Sequence, residues 1–157
     1  LPRLLERAGP GLPGQGSITG LFTVLVDGDD HNEPVADAVR GILDGHIVIT
    51  RQIAERGRYP AIDVLKSVSR TLPACLDAAQ NDVRLAARRQ LATFRDMEEI
   101  VRLGAYRAGS NPEVDRAVAV APRIEALLNQ PKNLRGHAQE SFASLAALLE
   151  DDHENAL

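Results

Sequence analysis

At 157 residues the chain has the length of one ordinary domain, and its composition, 44% hydrophobic and 25% charged, is that of a globular protein. No apolar run reaches the roughly 18 to 20 residues of a membrane span, and a net charge of −4 argues against generic nucleic-acid binding. Cys75, the only cysteine, excludes an intrachain disulfide and fits a reducing compartment, while His31, His46, His137 and His153 are scattered without metal-ligand spacing.

The chain opens on Leu1 rather than methionine and lacks the basic start, apolar core and cleavage site of a signal peptide, so it reads as a piece of a longer product. Residues 6–17, ERAGPGLPGQGS, are dense in Gly and Pro and predict a loop. ITGLFTVLV, residues 18–26, is apolar at nearly every position, with β-branched and aromatic residues, as a strand covered on both faces of a sheet requires. DGDDHNEP, residues 27–34, ends that run with acidic and turn-forming residues, and Pro34 opens an amphipathic helix with Val35, Val39, Ile42 and Leu43 on one face. HIVIT, residues 46–50, reads as a second short strand, followed by a brief helix that Gly57 stops. The order strand, helix, strand predicts a parallel α/β sheet, which two strands do not hold alone.

GRYPAIDVLKSVSRT, residues 57–71, has neither a helix nor a strand period. It reads as an irregular connector that keeps Tyr59 and Arg70 at a fixed separation. Cys75, among Pro73, Ala74 and Leu76, reads as a small hydrophobe rather than a reactive thiol.

From Asn81 the pattern changes: Val83, Ala87, Leu91, Phe94, Met97 and Val101 form a helical core stripe ending near Gly104. Arg84, Arg88 and Arg89 read as its solvated face. Ser110-Asn111-Pro112-Glu113 has the form of a capping box, and the helix behind it turns Val114, Val118, Ile124, Leu127 and Leu128 inward, with Pro122 expected to bend or split it. A third helix carries Ala138, Phe142, Leu145 and Leu149, and the acidic tail EDDHENAL is expected to fray.

LVDGDDHNEP, DGHIVITR, YPAIDVL and SVSR together resemble the late catalytic domain of the flagellar and type III secretion export ATPases, relatives of the rotary ATP synthase α and β subunits. The resemblance extends upstream to LPRLLERAG and downstream, more loosely, through IVRLGAYRAGSNPEVDRAV, and fades over the last residues. It implies an α/β fold, the remnant of a RecA-like parallel nucleotide-binding sheet followed by an all-helical C-terminal domain, with residues 1–77 in the first and 78–157 in the second. It also implies a cytoplasmic homohexamer, peripheral at the inner membrane, that hydrolyses ATP with Mg. Such a ring works with a coiled-coil stalk protein, export substrates, chaperones and the membrane export gate, and with no nucleic acid.

By resemblance, Arg70 matches the arginine that the family inserts into the neighbouring subunit's nucleotide site. A planar, always-charged guanidinium meets the spreading negative charge of the γ-phosphate, an effect worth about 10³ to 10⁵ in rate where such a finger operates. Read from the residues alone, Arg70 is a surface arginine paired with a carboxylate. Tyr59 matches the aromatic position that packs against adenine, Pro60 fixing its backbone; the rival reading is a loop packing residue. Asp29, Asp30 and Asn32 match the loop that touches the stalk, against a rival role in favouring a helix dipole. Tyr106, in GAYRAGSNPEVD, lies in a helix-turn-helix that moves in rotary relatives, or simply packs.

The chain departs from the family in one respect. No Gly-x-x-x-x-Gly-Lys-Ser/Thr occurs in it, and the glycines of GPGLPGQGS have no lysine among them, so the chain alone is expected to be inactive. An injectisome ATPase is the alternative within the family. A non-catalytic ring or adaptor protein is the alternative outside it.

Overall fold

The computed structural model describes residues 2–26 and 34–154. The chain folds as two compact units, one of Leu1–His46 with Ser69–Thr71 and one of Ile47–Val68 with Leu72–Leu157.

The first unit holds helix α1 (Pro2–Leu5), strands β1 (Gly9–Pro10) and β2 (Ser17–Ile18), helix α2 (Pro34–Ile42) and strand β3 (Gly45–His46). The Gly/Pro-rich segment is the turn of a small hairpin: β1 pairs antiparallel with β2, Gly9 opposite Ile18 and Pro10 opposite Ser17. Gly11 N–H closes it on the Gly16 carbonyl at 3.0 Å. Helix α2 starts at Pro34 as expected, and its buried face is Ala36 and Val39; Val35 and Ile42 are exposed. Leu5 of α1 completes this small core.

The apolar run 18–26 differs from its expected form. Only Ile18 lies in a ladder, and Leu21 and Leu25 are 92% and 89% exposed. Its pattern is that of a strand covered on both faces, and among the described residues nothing pairs with residues 19–26 to supply that cover. The second run, 46–50, also finds its partner in an antiparallel sense, through the bridge of Ile49 with Ile62. Thr50 N–H donates to the Ala61 carbonyl at 3.0 Å, and Asp63 N–H to that of Val48 at 2.8 Å.

The second unit contains helices α3 (Arg51–Glu55), α4 (Leu72–Cys75), α5 (Ala78–Arg102), α6 (Pro112–Leu128) and α7 (Ala138–Glu154); strand β4 (Val68–Ser69) spans the sequence boundary between the units. Ala87 and Leu91 of α5, Val120, Ala121 and Ile124 of α6, and Leu149 of α7 form its core, with Val83, Phe94, Leu128 and Leu145 packed around them. Of the predicted α5 stripe, Val83, Ala87, Leu91 and Phe94 lie in or against this core, while Gln90, which the stripe omits, is also buried.

The face of α6 is shifted from the expected one. Its fully enclosed positions are the small residues Ala117 and Ala121 beside Val120 and Ile124, whereas Val118 and Leu127 are half-buried. Pro122 sits exposed, and the helix runs on to Leu128 without dividing.

Helix ends follow local chemistry. Gly57 and Gly104 take positive φ, +80° and +69°, just past α3 and α5. In each case the glycine N–H and the next residue's N–H bond back to two carbonyls of the last turn, Ala54 and Ile53 for α3, Val101 and Ile100 for α5. That left-handed geometry suits glycine because it has no Cβ. Helix α5 opens on a capping box: Gln80 N–H donates to Asp77 Oδ1 at 2.8 Å, and Asp77 N–H to Gln80 Oε1 at 3.2 Å.

The box expected at Ser110 is replaced by a cap one residue later. Asn111 Oδ1 accepts from Glu113 N–H at 2.9 Å and Val114 N–H at 3.4 Å, while Ser110 Oγ donates backwards to the Arg107 carbonyl. The shift follows from Pro112, whose fixed φ suits the first helical position and so makes Asn111 the cap. Helix α7 continues into the acidic tail as far as Glu154.

Candidate functional site

The connector after α3 lies largely outside helix and strand yet is tightly bonded, and it carries Tyr59 and Arg70. Arg58, a buried arginine, donates from Nη2 to the Ile62 carbonyl at 2.8 Å and from Nη1 to the Pro60 carbonyl at 3.3 Å. Its Nε lies 2.6 Å from Glu125 Oε2 on α6. The Nε–H bond does not point at that oxygen, so this contact is coulombic rather than a formed hydrogen bond. The guanidinium thus staples the turn around Pro60 to the helix.

Tyr59, whose peptide to Pro60 is cis, is gripped by its backbone. Its N–H donates to Asn129 Oδ1 at 3.0 Å, and its carbonyl accepts from Gln130 N–H at 2.7 Å. Tyr59 is 54% exposed, so a large aromatic residue stands partly in solvent on a fixed backbone.

Asp63 is the second anchor. Its Oδ1 accepts from Leu65 N–H and Lys66 N–H, both at 3.0 Å, and from Arg95 Nη2 of α5 at 2.8 Å. Burial acts to raise its pKa, but the Arg95 hydrogen bond, the two amides and the Arg95 charge outweigh it and hold the carboxyl below its ordinary value. Arg88, read from sequence as solvated, instead donates to the carbonyls of Val64 and Leu65. Ser67 Oγ donates to the Asp63 carbonyl at 2.7 Å and accepts from Val48 N–H at 3.0 Å.

Arg70 belongs to the first unit and is exposed. Its N–H donates to the Asp44 carbonyl at 2.7 Å, and its Nη2 to the Arg40 carbonyl in the last turn of α2 at 3.2 Å. That acceptor is one of the carbonyls a helix end leaves without an internal partner. A single neutral acceptor of this kind is worth about 0.5–1.5 kcal/mol, little to give up for an anionic partner.

Asp29, Asp30 and Asn32 lie outside the described residues. Tyr106 Oη lies 2.9 Å from Asp115 Oδ1 and 3.1 Å from the Asn111 carbonyl, its one proton shared between these two acceptors, and Asp115 Oδ2 accepts from Gly109 N–H at 2.9 Å, so the turn before α6 is bonded shut. Cys75 is exposed rather than a packed hydrophobe. A cleft of about 450 Å³ in the second unit is bordered by Arg56, Asp63, Arg95, Glu98 and Asn129, and two ion pairs lie along it, Arg56 with Glu98 at 2.7 Å and Arg95 with Asp63. Among the described residues no three His, Cys, Asp or Glu side chains gather to hold a metal ion, and no helix is long and apolar enough to cross a membrane.

Residues 1–69 match the ATP synthase alpha/beta family, nucleotide-binding domain, and residues 76–147 match the type III secretion EscN ATPase C-terminal domain. The chain is 55% identical over 158 aligned residues to the flagellum-specific ATP synthase of Caulobacter vibrioides, covering 98% of this chain and 36% of that one. It superposes on the assembled ATPase EscN of the enteropathogenic E. coli type III secretion system with a TM-score of 0.88 at 36% identity, over 94% of this chain and 35% of that one. The structure of EscN in complex with its central stalk EscO matches with a TM-score of 0.82 at 35% identity, over 94% of this chain and 34% of that one. The chain therefore spans about a third of the length of the relatives it matches. These likenesses give its fold: a remnant of a RecA-like nucleotide-binding sheet, followed by a helical domain.

Proposed function

For a chain that belongs to the flagellar and type III secretion export ATPase family, relatives of the rotary ATP synthase α and β subunits, we propose a role as the part of a flagellar export motor that completes its neighbour's nucleotide site. The observation that carries this reading is Arg70: an exposed guanidinium held on one backbone carbonyl, ready to exchange it for the γ-phosphate of ATP bound to the next subunit. Tyr59 offers its half-exposed ring to adenine in its own subunit. Asp29, Asp30 and Asn32 meet a coiled-coil stalk, a role supported by the EscN relative solved with its stalk.

The residues present fit a base and a transferred phosphoryl group, and do not fit the rest of the cofactor. The chain has no phosphate-cradling lysine loop, and its described residues have no carboxylate set for Mg. On this reading the triphosphate and its Mg are held by residues other than these, and the chain alone does not turn over ATP. The ring is a homohexamer on the cytoplasmic face of the inner membrane, at the export gate, handling export substrates and their chaperones. Its functional division falls at 77/78, supported by the capped start of α5 at Ala78 and by family matches that end at 69 and resume at 76.

The test is a chimera in which this chain replaces the matching third of the Caulobacter relative. Chimeras carrying Arg70→Ala are mixed with chimeras whose phosphate-loop lysine is replaced. Hydrolysis is expected to return in part, because each mixed interface of the right order pairs an intact loop with an intact arginine. Silence at every mixing ratio, with both parents assembled, would sink the trans role.

A further inference from the structure

The Tyr59–Pro60 segment is held from one side by a single helix. On α6, Glu125 and Asn129 are one turn apart and therefore share a face. Glu125 faces the Arg58 guanidinium at 2.6 Å, and that guanidinium donates to the Pro60 and Ile62 carbonyls. Asn129, at the C-cap of α6, accepts the Tyr59 N–H, and the next residue returns the bond through Gln130 N–H to the Tyr59 carbonyl. Both backbone groups of Tyr59 thus end on two consecutive residues of the α6 terminus. A residue held in this way has little freedom left except rotation about its side-chain bonds.

We propose that Asn129 is the positioning residue for the Tyr59 ring, so that the end of α6 sets where the aromatic face stands when a purine nucleotide binds. This inference rests on the base-contact role of Tyr59 given above. Asn129 touches no nucleotide; it acts by fixing the backbone from which the ring projects. The side-chain oxygen is the working atom, because the bond runs from an amide N–H to Oδ1. Aspartate keeps that acceptor and alanine removes it.

The experiment uses the same chimera with the phosphate loop intact and reads KM for ATP separately from kcat, together with a thermal melt. Tyr59→Ala is expected to raise KM by about tenfold, the size of one lost base–aromatic stack, with kcat largely retained. Asn129→Ala is expected to raise KM by about two- to tenfold, the size of one lost hydrogen bond. Asn129→Asp is expected to stay near the parent. In the Tyr59→Ala background, Asn129→Ala is expected to add nothing, because there is no ring left to position.

If Tyr59→Ala raises KM while Asn129→Ala leaves it unmoved, or multiplies the Tyr59→Ala effect, the positioning role is overturned and the base contact stands. If Tyr59→Ala itself leaves KM unmoved, the base contact is overturned, and the nucleotide role of Asn129 goes with it. Should Asn129→Ala fail to assemble, Gln130→Pro removes the companion N–H at the Tyr59 carbonyl without touching the asparagine. It is expected to raise KM in the same sense, and an unchanged KM in an assembled Gln130→Pro ring overturns the inference.

Discussion

Asp63 and Arg95 meet at 2.8 Å, the carboxylate from the irregular connector and the guanidinium from the middle of α5. The pair is asymmetric: Asp63 is buried and accepts two backbone amides as well, whereas Arg95 is partly in solvent. Most of the consequence of breaking it therefore falls on the carboxylate's side.

Asp63→Asn is expected to destabilise the second unit by about 1.5–3 kcal/mol at neutral pH, the range for a hydrogen bond to a charged group. The folded pKa of Asp63 lies below its ordinary value of 3.8. The folded state therefore holds that proton less readily than the unfolded chain does. The stabilisation is full above about pH 4 and is lost as pH falls through the lowered value. Urea titrations at pH 7 and pH 3 check this: the gap between parent and variant should narrow at the lower pH, and an equal gap at both would remove Asp63 from the acid limb.

The inward face of α6 is tested by a pair of truncations. Ile124→Ala is expected to cost about 2–5 kcal/mol, because Ile124 is 2% exposed within the three-helix core. Val118→Ala is expected to cost clearly less, since Val118 is half-buried. Chemical denaturation of both variants decides the register, and a larger loss at Val118 would reverse it.

Capping gives a third comparison. Asn111→Ala removes the acceptor for two first-turn amides and is expected to cost about 1 kcal/mol. Ser110→Ala loses only a bond back to Arg107 in an exposed turn and is expected to cost less. Melting midpoints of the two variants, taken at one pH and protein concentration, measure the difference.

How much of this was legible in the residues depends on what each pattern records. The α5 stripe was readable from its helical period, and the Gly57 and Gly104 stops and the start of α2 at Pro34 because each rests on chemistry within one turn of the chain. The run 18–26 was not, because an apolar pattern states that cover is needed without stating where it comes from. On α6, weight given to large side chains hid Ala117 and Ala121, which are fully buried.

The site shows the same division. Tyr59 and Arg70 were visible through a family resemblance, while the groups that hold Tyr59 and its connector were not. Arg58, Asp63, Arg88, Arg95 and Asn129 act through contacts tens of residues apart in sequence. The helical pattern places Arg88 in solvent because an arginine on a helix looks the same whether its partner is water or a carbonyl. The one local clue was an aspartate two and three residues before the amides it caps, Leu65 and Lys66.

The exposed leucines of residues 18–26 carry a fourth expectation. Leu21→Lys with Leu25→Lys should lower the light scattering of the chain in solution while leaving the melt of the helical core unchanged, since neither side chain is buried. A lowered melt would mean that these leucines support the fold.

Glu125 and Asn129 also govern how Tyr59 can shift. Because they stand on one side of one rod, about 6 Å apart along it, turning that rod about its own axis swings both away together. The hold on Tyr59 through Asn129 and the hold on its neighbour Arg58 through Glu125 are thus coupled through one helix.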